Sequence, residues 1–279
     1  MKKQLALLAC LAATPVEAAE YNLFNPVPDG KLRAMSTERP SKTDSIYTVD
    51  AGRFLLESSL VSYTHNNDCI NGSCVKTDHT VFGQTTNLRI GLAPSWDLQI
   101  IVDPYRNLRV EDRATGVVDK RDGFGDTVLR LKYNVMGNEG GDGFALLPYI
   151  KLPTNQNDLG NDDVEGGFGI PFVFNLKDGW SIGGMTQFNA LKEQTPNPDY
   201  YLAYANALIV GKNFTDKLSG YAEYYTYRAD TDGAEWQNTT DFGIGYAVND
   251  NFRIDTGVNI GVTNAADDLN WFVGGAYRF

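Results

Sequence analysis

Past its first residues the chain has no uncharged apolar run approaching the ~18 residues a membrane helix needs, so a helical membrane protein is excluded. Histidine is scarce, with only His65 and His79, and cysteine stands at three, which leaves little material for a zinc site or a histidine-based catalytic centre. Positive charge is also short: 24 basic residues face 35 acidic ones, a formal charge of −11. Such a chain does not seek nucleic acid. What the chain has in plenty is glycine (28), tyrosine (15) and phenylalanine (14), the mixture expected of strands with one greasy and one wet face.

Lys2 and Lys3, the apolar stretch from Leu5 to Ala13, and Val16-Glu17-Ala18 form a secretory signal over residues 1–18, with Sec export and cleavage after Ala18 expected. Without Lys2, Lys3 and Glu17 the balance becomes 22 basic to 34 acidic residues. Leu7-Leu8-Ala9-Cys10 offers a lipoprotein signal as the alternative, but with only the five residues from Leu5 to Ala9 as its apolar segment. Once Cys10 is removed, Cys69 and Cys74 remain, close together in a polar stretch, and an oxidising compartment favours a disulfide between them. A metal held by these cysteines with His65 and His79 is the competing reading, although the spacing matches no zinc pattern.

From Phe54 onward the dominant signal is period-two alternation, which sends successive side chains to opposite faces of a strand. Between Thr127 and Val135, Leu129, Leu131, Tyr133 and Val135 face one way and Arg130, Lys132 and Asn134 the other. The same rhythm marks Phe252 to Ile260 and Thr240 to Tyr246, and weaker versions bring the count to about twelve strands, the last running from Leu269 to Phe279. Short turns at Pro94–Asp97, Gly137–Gly143, Lys177–Gly179, Thr215–Lys217 and Asn249–Asn251 alternate with longer polar connections. Those longer connections are Asn66–Asp78, Arg106–Gly123, Pro153–Val164, Lys192–Asp199, Arg228–Trp236 and Thr263–Asp268.

Short turns at one end and long loops at the other are the habit of outer-membrane barrels. The expectation is therefore an all-β, transmembrane, antiparallel up-and-down barrel over residues 46–279, with both termini periplasmic. A soluble sandwich is the alternative, but its buried face would be the apolar one. Residues 19–45 lack alternation and hold Pro26, Pro28 and Pro40, so they read as an extended periplasmic segment that plugs, lines or merely precedes the barrel.

Trp271, Tyr277 and Phe279, in a C-terminal strand ending on phenylalanine, resemble the signal read by the outer-membrane barrel assembly machinery, which becomes an expected partner together with membrane lipid and lipopolysaccharide. More widely, Thr37-Glu38-Arg39-Pro40, Ile46 to Phe54 and Asp122-Gly123-Phe124-Gly125-Asp126 resemble the proteobacterial family of transporters named for the MetA pathway of phenol degradation. The pattern departs at Ile46, where the family leads one to expect proline. The resemblance implies an outer-membrane barrel that transports small solutes, with hydrophobic or aromatic compounds as candidates.

Inward-facing positions of such a barrel are expected to carry Glu57, Arg89, Asp103, Asp126, Arg130, Lys132, Lys151, Glu165, Glu223, Asp241, Arg253, Asp255 and Arg278. Both signs of charge are present. They either line a water-filled path and tune its selectivity or pair into a plug, which would make the protein a structural or surface-interaction barrel. An outer-membrane lipid hydrolase would need a base beside a serine, and His65 and His79 near Ser62 and Ser73 lack the required context, so no enzyme is expected and no cofactor is implied. Acidic stretches at Asp158, Asp162, Asp163 and Glu165, and at Asp230 and Asp232, match no calcium-loop spacing.

Overall fold

The computed structural model describes residues 20–70, 73–193 and 199–279. The proposed signal peptide lies outside the described residues. Fourteen strands form one antiparallel sheet: β1 (Phe54–Ile70), β2 (Ser73–Ala93), β3 (Trp96–Val102), β4 (Tyr105–Asp112), β5 (Val118–Gly123), β6 (Thr127–Met136) and β7 (Gly143–Leu152) in the first half. The second half holds β8 (Glu165–Asn175), β9 (Trp180–Lys192), β10 (Tyr200–Asn213), β11 (Leu218–Ala229), β12 (Gln237–Asn249), β13 (Phe252–Gly261) and β14 (Leu269–Arg278).

The sheet closes on itself because β1 pairs with β14 on one side and with β2 on the other. Twelve strands make the wall, and β4 and β5 are a further hairpin carried on the outer half of β2, where Val75 to Phe82 pair with Asp112 to Tyr105. Backbone bonds between Phe54 and Phe279 in both directions, at 3.1 and 3.0 Å, seal the seam. Full closure removes the unpaired edges that no strand in hydrocarbon tolerates.

Burial follows the alternation with its sense reversed relative to a soluble protein. In β6, Lys132 is completely buried and Asn134 nearly so, while Val135 and Met136 are exposed. In β12, Asp241 is buried and Phe242, Ile244 and Tyr246 project outward. Ionised groups inside and greasy groups outside exclude the sandwich. A sandwich would put the apolar row in the core.

The twelve wall strands coincide with the twelve alternating stretches of the sequence, but two of the expected loops are strands. Asn66–Asp78 extends β1 and β2 as one long hairpin tied by the Cys69–Cys74 disulfide, and Arg106–Gly123 forms β4 and β5. Both are polar on both faces because a strand that has left the hydrocarbon needs no apolar face. Polarity was therefore misread as irregularity. The wall begins at Phe54 rather than at Ile46, and residues 46–53 travel with the segment before them.

That segment runs through the barrel. Ile46 packs on Ala145 and Leu147 of the inner wall, Val49 on Leu55 and Ala276, and each of these residues is buried. Gly91 permits the closest approach, since a Cβ there would lie 2.0 Å from the Asp50 carbonyl oxygen. Lipid-facing positions tolerate no charge: Ile244→Lys, near the middle of β12, is expected to cost about 2–4 kcal/mol. The expected result is a lower urea midpoint for the barrel refolded in phospholipid vesicles, and an unchanged midpoint would contradict the outward assignment of this face.

Candidate functional site

The inner wall and the N-terminal segment are joined by buried ions. Arg89 of β2 has no exposed surface and sits among three carboxylates: Asp97 at 2.6 Å, Glu38 at 2.9 Å and Glu57 at 3.1 Å. Its two terminal nitrogens also donate to the Tyr47 carbonyl at 2.7 Å and the Ser36 carbonyl at 3.1 Å. Lys132 joins the cluster through the Glu38 carboxylate and the Ser45 carbonyl. Glu38 also accepts the Ser45 amide at 2.8 Å, while its own amide donates to Glu57 at 2.8 Å. Burial pushes the Glu38 carboxyl up, but the Arg89, Lys132 and Arg130 charges outweigh it and hold it down at about 2.

A second set of contacts fixes the segment to the opposite arc. Arg39 reaches both carboxylate oxygens of Asp255, at 2.6 and 3.3 Å, the bidentate geometry that makes guanidinium–carboxylate pairs strong. Gly274 makes room for it, because a Cβ there would meet the guanidinium at 2.4 Å. Glu223 accepts the backbone amides of Lys42 and Thr43 at 2.9 and 2.8 Å, and the Lys42 ammonium lies 3.3 Å from Asp241. Between the two arcs Arg130 binds Asp44 at 2.8 Å. At the short-turn end Arg278 donates to the Arg33 carbonyl at 2.7 Å, beside the Arg33–Asp50 pair, also 2.7 Å apart.

Of the thirteen charged residues placed inside by alternation, Glu57, Arg89, Arg130, Lys132, Glu223, Asp241, Asp255 and Arg278 therefore all contact the segment that fills the lumen. Arg253 instead holds Ser219 at 2.8 Å. Asp103, Asp126, Lys151 and Glu165 lie toward the long-loop end. There Lys151 bridges Glu165 (2.5 Å) and Asp126 (3.7 Å), and Asp126 ties down the Pro153–Val164 connection through Asn155 and Asn161. Asp103 accepts the Thr85 amide at 2.7 Å.

Sequence reasoning missed Asp97 and Gln99, both fully buried beside Arg89, because Asp97 was read as a turn residue. The alternation of Asp97 and Gln99 with Leu98 and Ile100 was the signal that could have found them. It also missed Glu38, Arg39, Lys42 and Asp44, which sit in a stretch without periodicity. Trp271, Tyr277 and Phe279 all project outward at the end of the sheet, where Phe279 stacks on Phe54 at 5.9 Å. Around the disulfide, His65 hydrogen bonds Asp78 at 2.9 Å and His79 faces Arg106 at 3.4 Å. Among the described residues no three acidic, histidine or cysteine side chains converge as a metal site.

A family model matches residues 37–279, from the plugging segment to the last residue. The chain belongs to the family described as "Putative MetA-pathway of phenol degradation". Solved structures place this family member among outer-membrane barrels. An outer membrane channel from Pseudomonas putida F1 superposes with a TM-score of 0.61 at 14% identity, covering 86% of this chain and 99% of that one. The transport unit of the autotransporter AIDA-I from Escherichia coli gives 0.59 at 9% identity over 87% and 92%. The translocator domain of the autotransporter NalP from Neisseria meningitidis gives 0.55 at 12% identity over 81% and 88%. At these identities the likeness shows the fold. No curated protein matches the sequence.

Truncating one partner of a buried ion pair strands the others, at about 3–5 kcal/mol. Arg89→Ala strands Glu38, Glu57 and Asp97 together and is expected to release the segment from β2, β3 and β6. The check is single-channel conductance in planar bilayers, which should rise several-fold with larger current fluctuations. A trace identical to that of the unmodified barrel would show that Arg89 does not hold the plug.

Proposed function

We propose that this family member is an outer-membrane channel for small solutes, with the short-turn end and both chain ends in the periplasm. The loop-length asymmetry supports that orientation, since periplasmic turns of such barrels are short and external loops long. The outward row that ends in Trp271, Tyr277 and Phe279 suits recognition by the barrel assembly machinery, and the polar hairpins of β1–β2 and β4–β5 suit the lipopolysaccharide layer.

The observation that carries the proposal is that the plug does not fill the lumen evenly. Its densest ion contacts are with the wall formed by β1, β2, β3 and β6, and beside its further contacts on β11 to β13 the small residues Ser181, Gly183, Gly211, Ser219 and Gly245 of β9 to β12 leave room, next to Phe172, Ile209 and Tyr221. A space of about 250 Å³ remains there. It shares Pro40, Ser41 and Asp44 with a cavity of about 520 Å³ on the long-loop side. It shares Asn213, Ser219 and Arg253 with one of about 770 Å³ on the short-turn side. The proposed route joins the two vestibules through this space, a pinch beside the plug. Since an apolar cavity of about 150 Å³ holds one benzene, the pinch suits a single-ring molecule in size.

The family description, with its reference to phenol degradation, supports small aromatic solutes as the cargo. The lining supports it too, since Met185, Tyr225 and Phe272 face the vestibule on the long-loop side among amides and hydroxyls. Ser181→Trp would place an indole in the pinch while leaving the ion clusters intact. Ion conductance and phenol flux into proteoliposomes are both expected to fall at least several-fold. If neither changes, the route does not pass between the plug and β8 to β12.

A further inference from the structure

We propose that β11 carries a tyrosine track that binds small hydroxylated aromatic molecules in the vestibule on the long-loop side and delivers them to the pinch. This rests on the channel reading above and adds to it a recognition site of defined chemistry.

The inward positions of β11 are Ser219, Tyr221, Glu223, Tyr225 and Tyr227. Neighbouring inward positions on a strand stand ~6.6–6.8 Å apart, so Tyr227 and Tyr225 are within reach of one aromatic molecule passing between them. Tyr225 faces the vestibule on the long-loop side, and Tyr221 faces the pinch. Glu223, between them, is buried under the plug at Lys42 and Thr43. One strand therefore presents aromatic rings on both sides of the place where the plug crosses it.

The hydroxyls differ in a way that separates structure from recognition. Tyr221 donates to the Pro40 carbonyl at 3.1 Å, and Tyr149 of β7 donates to Asn189 at 2.5 Å, so both serve the fold. Among the described residues Tyr225 and Tyr227 have no hydrogen-bond partner in the protein. A partly buried hydroxyl facing a water-sized space and satisfied by nothing in the wall is available to a solute.

The surroundings of Tyr225 select among solutes that stack. Across the sheet Tyr225 is in register with Ala207, and Ala207 with Met185, so one side of the ring looks over a small residue toward a thioether. Sulfur against an aromatic ring is a favourable contact for a second ring placed there. The Lys42 ammonium lies 4.5 Å from the Tyr225 ring centroid while it also reaches Asp241, which draws electron density from the ring and strengthens its hydroxyl as a donor. The rest of the lining is polar, with Gln187, Thr239, Asn259 and Asn270 among it, so the apolar contacts are gathered at Met185, Tyr225 and Phe272. A benzene ring with one hydroxyl suits that pairing, its ring on the apolar contacts and its hydroxyl toward the polar side.

The test measures the phenol concentration that halves the ionic current through the intact barrel in planar bilayers, with cyclohexanol and glucose as comparisons. Phenol is expected to reduce the current at concentrations where the other two do not. Tyr225→Leu and Tyr227→Leu should each raise the half-blocking concentration about threefold to tenfold, the loss of one aromatic ring contact. Tyr225→Phe, which keeps the ring and loses the hydroxyl, should raise it by a smaller factor, about twofold to fivefold, and Tyr224→Leu, on the lipid side of the same strand, should leave it unchanged. Folding of each variant is verified by its heat-modifiable mobility. Equal block by phenol and cyclohexanol, or leucine variants that behave like the parent, would overturn the track while leaving the channel standing. A folded parent barrel that carries no current would overturn both.

Discussion

Everything inside this barrel depends on the guanidinium of Arg89. A permanent positive charge with no access to solvent is tolerable only among anions and carbonyls, and two wall carboxylates, Glu57 and Asp97, already supply more negative charge than it can neutralise. Lys132, also on the wall, offsets that excess, and Glu38 adds a third carboxylate that binds both cations. The two cations gain these further partners only when the N-terminal segment lies in the lumen, because Glu38 and the carbonyls of Ser36, Ser45 and Tyr47 come from that segment.

The asymmetry of that attachment explains the shape of the remaining space. Long charged side chains on β1, β2, β3 and β6 hold the plug on their side, and Glu223, Asp241 and Asp255 hold it again from β11 to β13. Between these attachments the wall carries serine and glycine beside Phe172, Ile209 and Tyr221, and the space stays open. On the proposed route, solute size is governed by side-chain volume on β9 to β12, not by the diameter of the barrel.

The wall was almost wholly legible. Leu129, Leu131, Tyr133 and Val135 opposite Arg130, Lys132 and Asn134 is a strand pattern and not a helical one, and the C-terminal Trp271 to Phe279 reads the same way. Legibility failed where the solvent changed. In the outer parts of β1, β2, β4 and β5 both faces meet water, so the periodic contrast that reveals a strand disappears although the backbone pairing continues. It failed again at Asp97, because one aspartate after proline and serine has the chemistry of a turn and of a buried carboxylate alike.

By itself the amino-acid order determined which side of each wall strand meets lipid, how many strands the wall has, and most of the charges that face inward. These are local properties, carried by a period of two and by the cost of placing an ion in hydrocarbon. Only the tertiary structure decided what the inward charges do. Glu38 and Lys132 are ninety-four positions apart, and Thr43 and Glu223 one hundred and eighty. No periodicity links residues at such separations: they become neighbours when the last strand closes on the first and leaves the N-terminal segment enclosed.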